Sequence, residues 1–312
     1  MAEGRKSHVY GPVPSRRLGR SLGVDLVPLK VCSLDCIYCQ LGVTLIKTLE
    51  RRDYVPVDEL VEDVSAALAR GAQPDYITLG GSGEPTLHVY LDEIITRIRR
   101  LSDIPVALLT NGSMFFRQGV RRDAARADVV LPSLDAPNAR LFRRINRPHR
   151  DITFERHVDG LVRFREEYHG QIWLEVFLLK GINDAEEHVA QFNRHIERIR
   201  PDKVHLNTAV RPTAEEAALR VPPEDMARLC ALFGPKASVI VAPESMHLPS
   251  DFAVTHEEVL GILGRRPCTL ADVAAGLDAH PNEVIKYIQA LLASGNILAE
   301  RHGGETYYRA RP

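Results

Sequence analysis

Short apolar segments alternate with amphipathic helical segments along most of this 312-residue chain. The pattern predicts strands over residues 21–28, 75–80, 105–110, 127–133, 172–180, 203–208 and 238–241. Such alternation is typical of a parallel sheet whose crossover connections are helices. About six strand–helix units are too few for a closed eight-stranded barrel. We therefore predict an α/β fold, a partial (βα)6 TIM-like barrel.

Polar residues occur on one face of two of these strands. In the strand over 172–180, Leu174 and Val176 share one face, and Glu175 lies on the other. In the strand over 203–208, His205 and Asn207 alternate with apolar residues in the same way. The apolar faces suit a helix layer, so Glu175, His205 and Asn207 are predicted to point into the barrel. A structural hydrogen-bond network is the alternative for each of them.

Three cysteines lie within eight residues, as Cys32-x3-Cys36-x2-Cys39. Three thiolates can bind three irons of a cubane cluster, which normally takes four cysteine ligands. No fourth cysteine is near in sequence, so one iron would stay open, as in catalytic metal sites. A zinc site is the alternative, although zinc needs a fourth ligand and the nearest downstream histidine is His88.

The cysteine spacing, with Tyr38 directly before the third cysteine, resembles the radical S-adenosylmethionine (radical SAM) superfamily. The segment over residues 11–23, with its Pro-Ser-Arg-Arg run, is similar to the Fe–S oxidoreductase branch that includes the tRNA wybutosine-synthesising enzymes. The resemblance extends over about residues 8–245. It implies a [4Fe–4S] cluster and S-adenosylmethionine as cofactors, with Cys32, Cys36 and Cys39 as cluster ligands.

The resemblance also implies an activity and a set of cofactor-binding residues. S-adenosylmethionine would be cleaved reductively to a 5′-deoxyadenosyl radical, which abstracts hydrogen from a substrate that the sequence does not identify. The electron would come from a donor such as flavodoxin or ferredoxin. The residues that the resemblance places near S-adenosylmethionine are Tyr38, Gly80, Gly81, Ser82, Gly83, Glu84, Asn111, Ser133 and Asp135. Strand alternation adds Glu175 and Asn207 as candidate cofactor-binding residues.

Two arginine clusters flank the predicted barrel. Arginine forks bind carboxylate or phosphate, so either cluster could recognise an anionic substrate at the barrel mouth. Solvated surface ion pairs are an equally open alternative. Lys180 and Arg211 follow two strands and could also reach substrate. The clusters comprise Arg16, Arg17 and Arg20 in one case and Arg143, Arg144, Arg147, His149 and Arg150 in the other.

The last part of the chain has its own pattern. Capping residues Thr255 and Thr269 begin two helices, a third covers residues 281–293, and a hairpin signal surrounds Gly303-Gly304. Three helices and a hairpin resemble a winged helix. We therefore predict two domains, a radical SAM barrel over 1–247 and a winged-helix-like domain over 248–312.

Composition limits the possible partners. The formal net charge is −1, and the tail is not basic, so nucleic acid is a possible but not favoured partner. No long apolar run predicts a membrane span, and the clustered thiols suit a reducing cytoplasm. A radical SAM enzyme is the leading interpretation. A tRNA-modifying radical SAM enzyme and a cluster-based redox sensor with winged-helix output are the alternatives.

Overall fold

The computed structural model describes residues 7–240, 255–277, 279 and 281–311. Its elements, in chain order, are β1 Val9–Ser15, β2 Gly19–Val24, β3 Val31–Cys32, β4 Ile46–Lys47, α1 Val57–Ala69, β5 Tyr76–Leu79, a 3₁₀ helix Pro85–Leu87, α2 Leu91–Ile98, β6 Val106–Thr110, α3 Gln118–Ala124, β7 Val129–Pro132, α4 Ala139–Ile145, α5 Phe154–Glu167, β8 Gln171–Leu178, α6 Glu186–Ile199, β9 Lys203–Thr208, α7 Pro223–Phe233, β10 Ala237–Val239, α8 His256–Leu263, α9 Leu270–Gly276, α10 Pro281–Ala293, β11 Ile297–His302 and β12 Glu305–Ala310.

The central sheet has eight strands in the order β1-β2-β5-β6-β7-β8-β9-β10. Strand β1 is antiparallel to β2, and every other neighbouring pair is parallel. This is the mostly parallel α/β sheet that the alternation predicts, open between its two edge strands. The fold class of a partial TIM-like barrel is thereby confirmed.

Alternate residues of the strands build two different apolar clusters. Leu108, Val130 and Leu174 belong to the main core with the helices. Ala107 and Trp173, on the opposite face of the same strands, belong to a small cluster inside the curved sheet. Period-two alternation puts neighbouring side chains on opposite faces, so both clusters follow from the sequence. The inner cluster fills one end of the barrel and leaves the other end to polar residues.

Strand β1 is absent from the sequence prediction. It contains Gly11, Pro12 and Pro14, which are poor strand formers, and its register shifts between Tyr10 and Val13. Proline cannot donate a ladder hydrogen bond, so in sheets it occurs on edge strands and at bulges. Strand β1 is such an edge strand, which is why its composition is compatible with pairing to β2.

The tail consists of three helices followed by a two-stranded hairpin. The capping box predicted at Thr255 is present, with Glu258 as its second member. This element order is what a winged helix needs, but the winged-helix assignment stays a prediction. The boundary between residues 247 and 248 lies outside the described residues, and the two-domain division also stays a prediction.

The apolar core of the tail includes a residue from the barrel. Val13 of β1 packs in one cluster with Val259, Val273 and Ile288 of the tail helices. Tyr307 of β12 also donates a 2.7 Å hydrogen bond to the carbonyl of Val210, just after β9. The tail is therefore seated on the open side of the barrel, next to its antiparallel edge strand.

Within the described ranges, no helix combines the length and the apolar character that crossing a membrane would need.

We expect Val13→Asp to weaken the tail, because a carboxylate without a partner is costly in an apolar cluster. Amide hydrogen exchange of α8–α10 should become faster, although the substitution is in β1. Val43→Asp is the matched control, since Val43 is 55% exposed. Unchanged protection of the tail in Val13→Asp would show that the tail does not depend on this contact.

Candidate active site

The cysteine loop runs between two short paired strands and rests on the end of α4. Strands β3 and β4 pair in parallel at either end of the loop. Within the loop, the amide of Asp35 donates to the carbonyl of Asn146 and that of Ile37 to the carbonyl of Ile145, both at 2.9 Å. Backbone contacts from a separate helix therefore fix the loop that carries all three thiols.

Each thiol of the motif has a nitrogen donor from a different part of the chain. Buried polar donors around sulfur ligands are a usual means of tuning Fe–S clusters. The distances are 3.5 Å from Asn111 Nδ2 to Cys32 Sγ, 3.4 Å from Asn146 Nδ2 to Cys36 Sγ and 3.2 Å from Lys30 Nζ to Cys39 Sγ.

Burial sets the protonation of two of these thiols. It raises the pKa of Cys32 to about 12 and the pKa of Cys36 well above its usual value. Metal binding displaces such protons, because the thiolate is the ligand. Three sulfurs with nitrogen donors directed at them form a donor set that fits a cluster.

The zinc alternative requires a different geometry. Among the described residues, no three His, Cys, Asp or Glu side chains come together closely enough to hold one metal ion. In a cubane cluster each thiolate binds its own iron, so the three sulfurs do not need to meet at a point. The thiol arrangement therefore favours the cluster.

The glycine-rich turn after β5 approaches other parts of the backbone closely. Gly80 and Gly81 have φ of 136° and 148°, which side chains rarely adopt. A Cβ on Gly83 would lie 2.2 Å from the carbonyl oxygen of Val31, in the strand that begins the cysteine loop. The turn is thus packed against the cysteine loop, and the glycines are needed for this contact.

Glu84 is buried and extensively hydrogen-bonded within the protein. Its Oε1 accepts from Thr86 Oγ1 at 2.5 Å and from Thr110 Oγ1 at 2.6 Å, and its Oε2 accepts from the amide of Asn111 at 2.8 Å. It also caps the 3₁₀ helix. Its carboxylate therefore joins the glycine-rich turn to the end of β6, and a direct contact with S-adenosylmethionine stays a prediction.

The turn is also connected to the tail. Asp25 accepts from the amide of Ser82 at 3.0 Å and from Arg265 Nε of the tail at 3.2 Å. The Arg265 guanidinium lies 4.0 Å from the centre of the Tyr10 ring, and the Tyr10 hydroxyl donates to the carbonyl of Gly80 at 3.3 Å. Two barrel residues that hold the turn are thus held in place by one arginine of the tail.

Asp135 and Tyr38 form one buried group beside the second cysteine. Tyr38 donates to Asp135 Oδ2 at 2.5 Å, and Asn146 donates to the same oxygen at 2.9 Å. The Tyr38 ring stacks on Phe177, with 3.9 Å between ring centres. Burial raises the pKa of Asp135 to about 6. This network orients Asn146 toward Cys36.

The remaining predicted residues lie on the inner face of the barrel. Ser133, directly after β7, pairs with Glu175 of β8, and Asn207 Nδ2 donates to Glu175 Oε1 at 3.3 Å. Arg17 forms an ion pair with Glu175. Glu175 and Asn207 thus form the polar layer that strand alternation predicts, and their contact with a cofactor stays a prediction.

Both predicted arginine clusters contain residues that form ion pairs with carboxylates. Arg20 of the first cluster pairs with Asp75 at 3.1 Å, and Arg147 of the second cluster pairs with Glu215 at 2.8 Å. Arg17 instead enters the barrel. Lys180 pairs with Asp225 at 2.6 Å near the surface. The surface ion-pair interpretation therefore holds for several of these residues.

Three residues of the site are absent from the sequence prediction: Lys30, Asn146 and Asp25. Lys30 precedes the cysteine motif by only two positions, so its proximity to the motif was a usable signal. Asn146 and Asp25 reach the site through contacts with segments far away in the sequence, and no local pattern indicates them.

A sequence profile of the radical SAM superfamily matches residues 26–192, just over half of the chain. The chain belongs to the radical SAM superfamily. It is accordingly a radical SAM enzyme, and the cofactors are a [4Fe–4S] cluster and S-adenosylmethionine.

Relatives of this radical SAM protein are known from distant organisms. A UPF0026 protein of Methanocaldococcus jannaschii is 31% identical over 309 residues, which are 96% of this chain and 94% of the relative. A protein of Brachyspira hyodysenteriae named GTPase Obg is 38% identical over 97% of this chain, but this chain spans only 45% of that relative.

A solved structure of TYW1 with a bound lysine–pyruvate adduct has a similar fold. The TM-score is 0.55 with 18% identity, over 69% of this chain and 72% of that one. At this identity the likeness concerns the radical SAM fold alone.

We expect Lys30→Met to shift the cluster midpoint potential to more negative values by on the order of 50 mV. Loss of a cationic donor destabilises the reduced, more negative state, and about 59 mV corresponds to a tenfold change in a one-electron equilibrium. Lys47→Met is the matched control, because Lys47 Nζ bonds the carbonyl of Arg147 instead. Redox titration followed by electron paramagnetic resonance gives the potentials, and iron analysis verifies equal loading. Equal potentials in all three proteins would contradict a role for Lys30 at the cluster.

Proposed function

We propose that this enzyme cleaves S-adenosylmethionine reductively and uses the product radical to abstract hydrogen from a substrate. The observation that carries the proposal is the position of three half-buried thiols, each with its own nitrogen donor, beside the glycine-rich turn. When bound, the cluster and S-adenosylmethionine supply the electron and the 5′-deoxyadenosyl radical.

The protein residues position and shield this chemistry. Cys32, Cys36 and Cys39 hold the cluster. Gly80 and Gly81, both with positive φ, form the turn that would receive S-adenosylmethionine, while Glu84 fixes the turn relative to β6. The polar residues Ser133, Glu175 and Asn207 line the inner face, where a carboxylate and an amide can bind the cofactor or the substrate.

A tRNA substrate is the second candidate function from the sequence. The likeness to the TYW1 structure concerns the fold alone, because identity is only 18%. Nucleic-acid modules are normally basic, and the tail is not. We therefore place no tRNA contact in the proposal, and a sensor role has no support from a superfamily of enzymes.

We expect anaerobic reconstitution to give about four irons per chain, and dithionite to produce 5′-deoxyadenosine from S-adenosylmethionine. Cys36→Ala should lose both the cluster absorbance and the product. Cys230→Ala is the matched control, since Cys230 lies on α7 and packs against the main core. Equal yields of 5′-deoxyadenosine from Cys36→Ala and the wild type would refute the proposed function.

The electron donor is also part of the proposal, as a flavodoxin or ferredoxin. Four large apolar residues are exposed on the segment that carries the cysteines. Their exposed fractions are 47% for Leu29, 55% for Val43, 74% for Leu45 and 57% for Ile46. We define these four as the apolar loop surface.

Basic residues border the apolar loop surface. Lys47 follows it directly and bonds the carbonyl of Arg147. Arg143 and Arg144, on the helix that supports the loop, are exposed and form no ion pair with any other described residue. Apolar area with a basic rim is complementary to a small acidic redox protein, which must approach the cluster to deliver an electron.

We expect Leu45→Ser to reduce flavodoxin-driven cleavage of S-adenosylmethionine about tenfold, since central apolar contacts are worth more than about 1 kcal/mol. Dithionite-driven cleavage should stay at the wild-type rate, because dithionite needs no docking surface. Leu101→Ser is the matched control, because Leu101 lies in the turn after α2 and is 38% exposed. Affinity for flavodoxin, measured directly by calorimetry, should fall in parallel. Equal losses with both reductants would place the defect in the active site instead.

A further inference from the structure

The glycine-rich turn is held between two parts of the molecule. On one side lies the cysteine loop, where the amide of Lys30 donates to the carbonyl of Ser82 at 2.7 Å. On the other side lie the side chains of Asp25 and Tyr10. The position of the turn relative to the thiols therefore depends on both sets of contacts.

Asp25 and Tyr10 approach the backbone of the turn so closely that no side chain would fit between them. A Cβ on Gly81 would lie 2.5 Å from Asp25 Oδ1 and 2.7 Å from the Tyr10 hydroxyl oxygen. The same Oδ1 accepts a 3.0 Å hydrogen bond from the amide of Ser82. Because packing at this distance leaves no free space, a displacement of either side chain would alter the turn.

The tail supplies the residue that holds both side chains. Arg265 Nε donates to Asp25 Oδ2 at 3.2 Å, and the guanidinium lies 4.0 Å from the centre of the Tyr10 ring. Arg265 Nη1 donates to the carbonyl of Gly261 in α8 at 2.5 Å. One side chain of the tail is thus fixed to its own helix and contacts both residues that support the turn.

The ion pair between Arg265 and Asp25 is largely shielded from solvent. The exposed fractions of the two side chains are 14% and 13%. Among the described residues, no other Lys, Arg or His forms an ion pair with Asp25. Removal of one partner from such a pair leaves the other charge uncompensated, which is strongly unfavourable. Loss of Arg265 would therefore act on the turn through Asp25.

We propose that Arg265 is a positioning residue for the binding of S-adenosylmethionine. It acts through Asp25 and Tyr10, which fix the conformation of the glycine-rich turn and its place beside the cysteine loop. The tail is then a working part of the cofactor site. The inference rests on the proposed function and deepens it, because it makes cofactor affinity depend on one residue of the tail.

The test is anaerobic calorimetric titration of the full-length, cluster-loaded protein with S-adenosylmethionine. We expect Arg265→Gln to weaken binding about tenfold, since coupling between sites typically changes affinity about 5–150-fold. At saturating S-adenosylmethionine, dithionite-driven cleavage should proceed at the wild-type rate, because the cluster ligands are unchanged.

Tyr307→Phe is the matched control. It removes a different hydrogen bond between tail and barrel, the 2.7 Å contact with the carbonyl of Val210, which lies just after β9 and not in the turn. Its affinity for S-adenosylmethionine should equal that of the wild type. The comparison therefore separates the contact of Arg265 from a general loosening of the tail.

A double-mutant cycle with Asp25→Asn tests whether Arg265 acts through Asp25. Asp25→Asn removes the charge that Arg265 compensates and keeps an oxygen for the amide of Ser82. The double variant of Asp25→Asn and Arg265→Gln should bind S-adenosylmethionine no more weakly than the weaker of the two single variants. The cycle is decisive even if Arg265→Gln unfolds at a lower temperature, because affinity is measured on molecules that remain folded.

Three results would overturn the inference: unchanged affinity in Arg265→Gln, additive losses in the double variant, or an equal loss of affinity in Tyr307→Phe. Wild-type protein that binds and cleaves S-adenosylmethionine while one of these results is obtained would leave the proposed function intact. Absence of binding or cleavage in the loaded wild type would refute the proposed function, and the inference with it.

Discussion

Parallel pairing of the central-sheet strands from β2 to β10 brings together the polar residues that follow or end these strands. In a parallel sheet all strands end at the same edge, so residues that are far apart in sequence meet there. The register brings Ser133 opposite Glu175, and Glu175 opposite His205. The same edge receives the glycine-rich turn from β5 and Asn111 from β6. A shift of one residue in any strand would turn its polar side chains into the helix layer.

The carboxylates around the candidate site are largely shielded from solvent. Glu84, Asp25 and Asp135 are each surrounded by donors of the protein, and burial raises the pKa of all three. Their hydrogen bonds connect the cysteine loop, the glycine-rich turn and β8 into one network. Such preorganisation suits an enzyme whose cofactors carry the reactive chemistry, because the protein then has to hold geometry and exclude water.

The parts of the fold that repeat along the chain could be predicted from the sequence. Alternation in β8 correctly separated Leu174 and Val176 from Glu175, since the period of a strand is local. The cysteine motif and the glycine-rich turn are equally local. The contacts of Asn146 with Cys36 and of Arg265 with Asp25 join segments over a hundred residues apart. These long-range contacts depend on how whole helices and strands pack together, so no short sequence pattern predicts them. Strand β1 escaped prediction for a different reason: an edge strand can contain prolines that an interior strand cannot.

The contact from Arg265 through Asp25 to Ser82 has a thermodynamic consequence. If the tail stabilises the glycine-rich turn, and this turn binds S-adenosylmethionine as proposed, then linkage requires that bound S-adenosylmethionine stabilises the seating of the tail by the same free energy. The tail then acts as an effector of cofactor binding. A macromolecule that captures the tail in another position would act as an inhibitor of cofactor binding without touching the barrel. Saturation with S-adenosylmethionine would in turn lower the affinity of that macromolecule for the tail.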